Sequence, residues 1–176
     1  MVAALMSVLT PATAAPAYKQ LLTSYRCSAP WVSSFDAQTG FRTKLEPTWD
    51  RKSAVKASRL VVGIVLPEET VTELSDAGNK YLEGRVAKGF FKVGPKSVGV
   101  RAVLMNRKKL PADQALLLKA WGQLRQFKMK AKGKYAVHVP KKLVFEMRSN
   151  LGRGQLTCTL KPGAPTKLTT IKIKKA

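Results

Sequence analysis

The chain is poor in the residue types that metal sites and disulfide frameworks require. Its 176 residues include two cysteines and one histidine. Cys27 and Cys158 lie far apart, so the sequence has no CxxC pair and no metal-ligand spacing. We interpret both as buried free thiols, because a disulfide between them requires an oxidising compartment. No apolar run approaches the ~20 residues of a membrane-spanning helix, so we expect neither a metal site nor membrane insertion.

Catalytic motifs are also absent from the sequence. His138 lies on the polar face of a predicted strand, where we interpret it as an ordinary surface residue. Asp113 is explained by the first turn of a predicted helix, and Glu146 as the cross-strand partner of a lysine. The sequence contains no GxSxG, P-loop or GxGxxG pattern. We therefore expect no enzymatic activity, no catalytic residues, no cofactor and no small-molecule substrate.

Acidic residues are scarce in one half of the chain, which leaves a large excess of positive charge there. The chain has 32 lysines and arginines against 10 acidic residues, a net charge of +22. Residues 1–83 carry a net charge of +1, whereas residues 84–176 carry +21. A segment this basic repels itself unless it meets a polyanion or an anionic surface. Because the apolar content of 45% is normal for a globular protein, we predict a folded, acid-poor platform for a phosphate-rich partner.

The first 34 residues contain no acidic side chain and are rich in Ala, Ser, Thr and Leu. This composition is typical of an organellar targeting segment. A secretory signal is the competing interpretation, with Val2–Leu9 as its apolar region and Ala12, Thr13 and Ala14 as a cleavage-like site. We interpret the segment as a retained extension.

Prolines and Gly40 interrupt residues 1–58 repeatedly, and the aromatic residues there follow no clear period. These aromatics are explained either by a loop that tucks them onto the domain or by an arm that anchors on a partner. The predicted organisation is an extended N-terminal arm with little regular structure over 1–58 and a basic α+β domain over 59–176.

Two strand–helix pairs are predicted at the start of this domain. The apolar runs Arg59–Leu66 and Val98–Met105 are typical of strands. A first helix opens at Pro67 with two carboxylates in its first turn, and Gly84 ends it. A second helix is predicted from Ala112 to about Met129. On a helical wheel its apolar arc comprises Leu116, Leu117, Ala120, Trp121, Leu124 and Phe127.

From Lys134 onward the apolar period changes from that of a helix to two. Four segments alternate apolar and polar residues, around 134–139, 143–148, 155–160 and 169–174, which indicates an antiparallel meander with one buried face. The predicted fold class is therefore α+β: a small domain with two helices packed on a largely antiparallel sheet, preceded by an extended N-terminal arm.

Nucleic-acid contact is the chemistry that the basic clusters favour, because neutralising phosphates requires many cations on one surface. No helix-turn-helix, zinc finger, KH loop or RNP1-like strand is present, so we expect recognition of backbone and shape. The predicted RNA-binding residues are Lys88, Phe90, Lys92, Lys96, Arg101, Arg107, Lys108, Lys109, Lys128, Lys130, Lys132, Lys134, Lys141, Lys142, Arg148 and Arg153.

A small basic α+β domain, lysine-rich loops, an aromatic-bearing arm and an acid-free N-terminus together resemble ribosomal proteins of the organellar type. The resemblance covers the whole chain at the level of the class. It implies a structural constituent of a mitochondrial ribosome, located in the matrix and active in translation. Its partners would be rRNA or another structured RNA, and neighbouring ribosomal proteins through the arm. The alternatives are a stand-alone organellar RNA- or DNA-binding protein, and a basic peripheral subunit of an organellar membrane complex.

Overall fold

The computed structural model describes residues 18–175. The signal-like region Val2–Leu9 and the cleavage-like site at 12–14 lie outside the described residues, whereas residues 18–34 of the predicted targeting segment lie within them. Within that range the chain forms eleven strands and one helix. In chain order these are β1 (Lys19–Ala29), β2 (Val32–Thr43), β3 (Thr48–Asp50), β4 (Ser58–Leu66), α1 (Glu68–Asp76), β5 (Tyr81–Val93), β6 (Lys96–Lys109), β7 (Leu116–Leu124), β8 (Gly133–His138), β9 (Lys142–Ser149), β10 (Gly152–Leu160) and β11 (Lys167–Lys174).

Eight of the strands close into an antiparallel barrel in the order β5-β6-β7-β4-β2-β1-β10-β9. Pairing of β9 with β5 completes the ring. Gly84 permits this closure, because a Cβ atom there would lie 2.2 Å from the carbonyl oxygen of Glu146 on β9. Closing the sheet leaves these eight strands without free edges, which removes the unpaired backbone groups that an open sheet exposes.

The remaining strands, β3, β8 and β11, form a smaller sheet that continues from the end of β5; we call it the side sheet. β8 pairs with β5 at Lys92 and Val93, β11 pairs with β8, and β3 pairs parallel with β11. One face of this sheet carries Val137, Ile171 and Ile173, which are buried in the same hydrophobic core as the barrel residues. The side sheet therefore covers one end of the barrel and turns its other face to solvent.

The core forms because barrel strands alternate inward and outward side chains. The largest buried side chains include Tyr25, Phe41, Phe91 and Phe145. Phe41 and Phe91 meet edge to face, with their ring centroids 5.7 Å apart. This arrangement is favourable for aromatic pairs.

The predicted α+β fold with two helices is wrong, because the described chain is nearly all sheet. The first predicted helix exists but ends at Asp76 rather than near Gly84. Gly78 adopts a φ of +86°, a left-handed conformation that glycine tolerates at a helix end. Tyr81 and Leu82, which lie before the predicted helix end at Gly84, instead begin β5.

The second predicted helix is also wrong, because its central residues form β7. Leu118 faces the core and is fully buried, although it lies outside the predicted helical arc. Leu117 and Trp121 belong to that arc, but both are more than 40% exposed. Pairing with β4 and β6 on either side overrides the helical propensity of this leucine-rich segment.

The segment expected to be an arm contains regular structure. Residues 19–43 form β1 and β2, two long strands inside the barrel. By contrast, the predicted strands around 59–66 and 98–105 are present as β4 and β6, and the four alternating segments as β8 to β11. They do not form a meander, since β8 pairs with β5 and β11, while β9 pairs with β5 and β10.

Candidate functional site

The two ends of the barrel differ in charge. The side sheet and its connections, residues 44–57, 125–141 and 161–175, carry fifteen lysines and arginines and two acidic residues; we call this part the basic end. At the other end of β4 and β7 lie α1 and the connection 110–115. That helix end holds Glu68, Glu69, Glu73, Asp76 and Asp113, half of the acidic residues in the chain. The charge excess is therefore concentrated at one end of the fold.

Five exposed lysines share the solvent face of the side sheet, and four of them lie in two cross-strand rows. The fifth, Lys174 on β11, lies beside the acidic Asp50 of β3 at the edge of this face. In one cross-strand row His138 on β8 lies between Lys92 on β5 and Lys167 on β11. In a second row Lys134 on β8 lies directly opposite Lys172 on β11. We call Lys92, Lys134, Lys167 and Lys172 the lysine face. Strand pairing fixes their spacing, because cross-strand partners have Cβ atoms about 5 Å apart.

Small and uncharged side chains form the floor between the two rows. Ala136 pairs with Thr170, and Thr48 on β3 lies opposite Lys172. All three are half-buried. The Nδ1 atom of His138 lies 2.9 Å from the hydroxyl oxygen of Thr166. The face is therefore a shallow polar surface with cations around it, open enough for an extended ligand.

The ion pairs of the described chain lie away from the lysine face. Asp36 accepts hydrogen bonds from Lys161 at 2.5 Å and from Arg26 at 3.1 Å. These bonds, with that of Lys161 the stronger, hold the pKa of Asp36 below its ordinary value. Glu83 accepts from Arg107 at 3.0 Å, which likewise lowers the pKa of Glu83.

Glu146, predicted to pair with a lysine, forms its ion pair with Arg85, at 2.6 Å. Among the described residues, no lysine of the lysine face has a carboxylate within ion-pair distance.

The structure separates the sixteen predicted RNA-binding residues into groups. Lys92 and Lys134 belong to the lysine face. Four others lie on connections of the basic end: Lys128, Lys130, Lys132 and Lys141. Five lie on the barrel strands β5, β6 and β9, in the part of the barrel nearer the basic end: Lys88, Phe90, Lys96, Arg101 and Lys142. The remaining five lie toward the helix end, on β6 and on the β9–β10 hairpin: Arg107, Lys108, Lys109, Arg148 and Arg153.

Sequence reasoning missed Lys167, Lys172 and the position of His138. The alternation of β11 correctly placed Lys172 on a polar face. What the sequence did not reveal was the partner strand, because β8 and β11 are separated by two strands of the barrel along the chain. Cross-strand opposition of like charges becomes visible only once that pairing is known.

The two cysteines form a disulfide. Cys27 on β1 and Cys158 on β10 are direct cross-strand partners with Cα atoms 4.0 Å apart, and both are fully buried. The interpretation as free thiols is therefore wrong, because barrel closure brings together two positions 131 residues apart. Disulfides form and persist in oxidising environments, so this bond bears on where the protein resides.

Neither a metal site nor a spanning helix is found in the part of the chain that the structure describes. Over residues 18–175 no cluster of three or more His, Cys, Asp and Glu side chains is arranged to hold a metal ion. No helix in the same range has the length and apolar character that crossing a membrane requires.

Comparison with known proteins yields one family and one structural relative. The model of a family of unknown function (DUF6801) matches residues 24–169. A crystal structure from Corynebacterium diphtheriae, described provisionally as a membrane anchored protein, superimposes with a TM-score of 0.52 at 14% identity. The match covers 91% of this chain and 38% of that protein, so the chain spans about two fifths of its length. At this identity the likeness shows the fold alone. No curated protein matches the chain.

These findings correct the functional prediction. Neither match is to a ribosomal or RNA-binding protein, so the predicted ribosomal role is wrong, as are the organellar alternatives. The mitochondrial matrix location is also wrong: the structural relative is bacterial, and a buried disulfide is uncommon in a reducing compartment. The resemblance rested on overall charge and an irregular arm, whereas residues 19–43 of that arm form two strands of the barrel.

Proposed function

The chain belongs to the DUF6801 family of unknown function, and we propose that it is a module that binds an anionic polymer outside the reducing interior of the cell. The polymer lies across the lysine face and is held by charge. We propose binding without chemistry on the polymer and without a cofactor.

The observation that carries this proposal is the opposition of like charges on the lysine face. Lys134 faces Lys172, and His138 lies between Lys92 and Lys167. Like charges in directly opposite positions destabilise a sheet. A bound polyanion replaces this repulsion with attraction, which gives a physical reason for an arrangement that costs stability in the free protein.

The spacing of the two rows favours a polymer over a small anion. His138 and Lys134 are four residues apart on β8, which corresponds to about 13 Å along a strand. A chain of repeated negative charges matches both rows as they are spaced, whereas a single phosphate or carboxylate meets both only if lysines of the two rows bend toward each other. The four cations are lysines, which act as point charges rather than as planar forks, so we expect recognition of charge density with little selectivity for one anion geometry.

Two further observations support a location outside the reducing interior. The Cys27–Cys158 bond is buried, and such bonds are typical of secreted and surface proteins. The structural relative from Corynebacterium diphtheriae is described provisionally as membrane anchored. The secretory-signal interpretation of Val2–Leu9 agrees with export as well.

The test measures binding of the full chain to fluorescently labelled polymers by anisotropy, at low and moderate salt. Poly(glycerol phosphate) and polyglutamate represent phosphodiester and carboxylate chains, and dextran is the neutral control. We expect binding to one or both anionic polymers and none to dextran. Replacing Lys92, Lys134, Lys167 and Lys172 with glutamine should weaken binding at least about tenfold and flatten its salt dependence, because fewer counterions are released.

The matched control removes the same charge from the opposite end of the barrel. Lys80, Lys108, Lys109 and Arg153 are exposed and form no ion pair within the described residues. Their replacement by glutamine should leave affinity within about twofold, since these positions lie at the opposite end of the barrel and salt screens exposed charges over a Debye length of about 10 Å. Equal losses in the two variants would show that net charge alone decides binding. That result, or no binding by the unchanged protein, overturns the proposal.

A further inference from the structure

A patch of apolar side chains lies on the outside of the barrel, where β4, β6 and β7 run side by side. It comprises Val61 and Val65 on β4, Leu104 on β6, and Leu117 and Trp121 on β7; we call these five residues the apolar wall. Leu104 is 54% exposed, Leu117 43% and Trp121 42%. Large apolar side chains that are exposed together in a cluster mark interaction sites more often than isolated ones do.

Strand register arranges the apolar wall in two cross-strand rows. Trp121 lies directly opposite Val61 on one side and Leu104 on the other. Four residues along β7, Leu117 lies opposite Val65, and the row between them pairs Lys119 with Gly63. The run RLVVGIVL of β4 is therefore apolar on both faces, because its inward residues fill the core while Val61 and Val65 reach the outer surface. The sequence predicted a buried strand from this run, and only one face is covered by the protein itself.

The surroundings of the apolar wall are cationic. Arg42 on β2 lies opposite Val61, and Lys119 on β7 lies between Leu117 and Trp121 on the outer face. Arg59 and Arg101 both lie opposite Gln123, which is two residues beyond Trp121 on the same face of β7. All four are exposed. A second copy of the chain would place these cations against their own equivalents, so charge disfavours self-association through this surface.

The shape of the apolar wall further restricts what covers it. The outside of a closed eight-stranded barrel is convex, so it offers no groove for a helix or an extended peptide. Gly63 lies next to the wall on β4, but the side chain of Leu117 already fills the space beside it, 3.5 Å from the position of a Cβ atom. A convex apolar surface bordered by cations fits a deformable apolar medium with negative charge at its boundary.

We infer that the apolar wall docks on the surface of an anionic lipid bilayer. Trp121, Leu104 and Leu117 enter the boundary between headgroups and acyl chains, where tryptophan is favourable and aliphatic side chains lose contact with water. Arg42, Arg59, Arg101 and Lys119 remain at the level of the headgroups, with the stem of Lys119 extended along the apolar surface. This inference uses a different surface from the proposed function and does not depend on it.

The experiment uses the full chain with its disulfide intact and vesicles of defined composition. Flotation compares vesicles of phosphatidylglycerol and phosphatidylcholine with vesicles of phosphatidylcholine alone. We expect binding to the anionic vesicles that is at least about tenfold tighter, since several cations meet anionic headgroups. Acyl chains brominated near the headgroup should quench part of the tryptophan fluorescence, and Trp121→Phe should remove most of that quenching, because the two other tryptophans that the structure describes are partly buried.

A double substitution tests whether the apolar wall, rather than the overall positive charge of the protein, makes the contact with the vesicle. Leu104→Gln with Trp121→Gln should weaken vesicle binding about tenfold or more, since two side chains no longer leave water. Leu151→Gln is the matched control, because Leu151 is 61% exposed in the turn between β9 and β10, away from the apolar wall. That variant should bind as the unchanged protein does. Both variants should keep the polymer affinity of the unchanged protein, because their lysine face is intact. Failure of the bilayer inference therefore does not imply failure of the proposed polymer binding, or the reverse.

Three results would overturn the inference. The first is the absence of vesicle binding by the unchanged protein. The second is vesicle binding that survives Leu104→Gln with Trp121→Gln, or that shows no quenching by brominated chains, because another surface then makes the contact. The third is a dimer in sedimentation velocity that the same double substitution dissociates, which would assign the apolar wall to a second copy.

Discussion

At the residue scale, Tyr25 shows how a single polar atom links separate parts of the fold. Its side chain is fully buried on β1, and its hydroxyl donates a hydrogen bond to the carbonyl oxygen of Pro140, 115 residues away. Pro140 lies between β8 and β9, so this bond joins the barrel to the connection that leaves the side sheet. Burial raises the pKa of Tyr25 above its ordinary value of 10.0, since the core disfavours the phenolate.

The raised pKa of Tyr25 predicts a loss of stability in base. The folded protein keeps the phenol protonated, whereas the unfolded chain ionises near pH 10, so stability from this group is complete below pH 10 and falls as the pH rises above it. Raising the pH from 8 to 11 should therefore lower the free energy of unfolding by about 1 kcal/mol through this group. Urea unfolding at both pH values measures it. Tyr25→Phe should cost about 1 kcal/mol at pH 8 and little at pH 11.

Tyr135→Phe is the matched control, because the hydroxyl of Tyr135 bonds to the carbonyl of Ala131 in an exposed position. It should follow the unchanged protein at both pH values. A pH dependence in Tyr25→Phe as steep as that of the unchanged protein would mean that another group titrates.

At the element scale, the sequence of β7 fits both a helical and a strand pattern and does not by itself decide between them. The segment LLLKAWGQL fits a helical arc through Leu117 and Trp121, and it also fits alternation with Leu116, Leu118 and Leu124 inward. The neighbours decide the outcome, since β4 and β6 both pair with the segment. A strand in the middle of a sheet depends on residues distant in sequence, so local periodicity was insufficient here.

Two leucines in β7 provide a direct test of strand against helix. Leu118→Ala should cost about 2–5 kcal/mol, because the side chain is completely buried in the core. Leu117→Ala should cost less than about 1 kcal/mol, because Leu117 lies on the outer surface. A helix with the predicted apolar arc gives the reverse order. Chemical denaturation of the two variants measures the difference, and equal costs would contradict the register of β7.

The elements that were missed have a common physical cause. The inward positions of β1 and β2 include Thr23, Thr39 and Thr43, which are polar in composition yet buried. These threonines interrupt the apolar alternation that identifies a strand, so the region resembled an irregular arm. By contrast β9 and β10 carry Leu, Phe, Met and Cys at their inward positions. Their period of two was unbroken, and the sequence predicted them.

At the scale of the whole molecule, closure of the barrel is what the sequence could not predict. The ring depends on the pairing of β1 with β10 and of β5 with β9, and each pair joins segments far apart in the chain. The β1–β10 pairing creates the disulfide, and a third long-range pairing, of β8 with β11, brings Lys134 opposite Lys172. The charge excess itself was visible in the composition, but its location was only partly predicted, since residues 44–57 of the near-neutral half also belong to the basic end.

Concentration of charge at one end predicts that salt stabilises the protein. Repulsion among the lysines is screened as ionic strength rises, because the Debye length falls from about 10 Å at 0.1 M to about 3 Å at 1 M. Thermal unfolding followed by circular dichroism should therefore show a melting temperature that increases with NaCl. Replacing Lys92, Lys134, Lys167 and Lys172 with glutamine should raise the melting temperature at low salt by about 1–3 °C and reduce the salt dependence.

The control with Lys80, Lys108, Lys109 and Arg153 replaced by glutamine has the same net charge and should keep most of the salt dependence, because its substitutions leave both cationic rows intact. Identical salt curves for the two variants would mean that the repulsion is spread over the whole surface. Destabilisation of the first variant at low salt would mean that the lysines support the sheet. The expected outcome, higher stability with weaker polymer binding, requires that these four positions oppose folding in the free protein and favour it only when an anionic partner is bound.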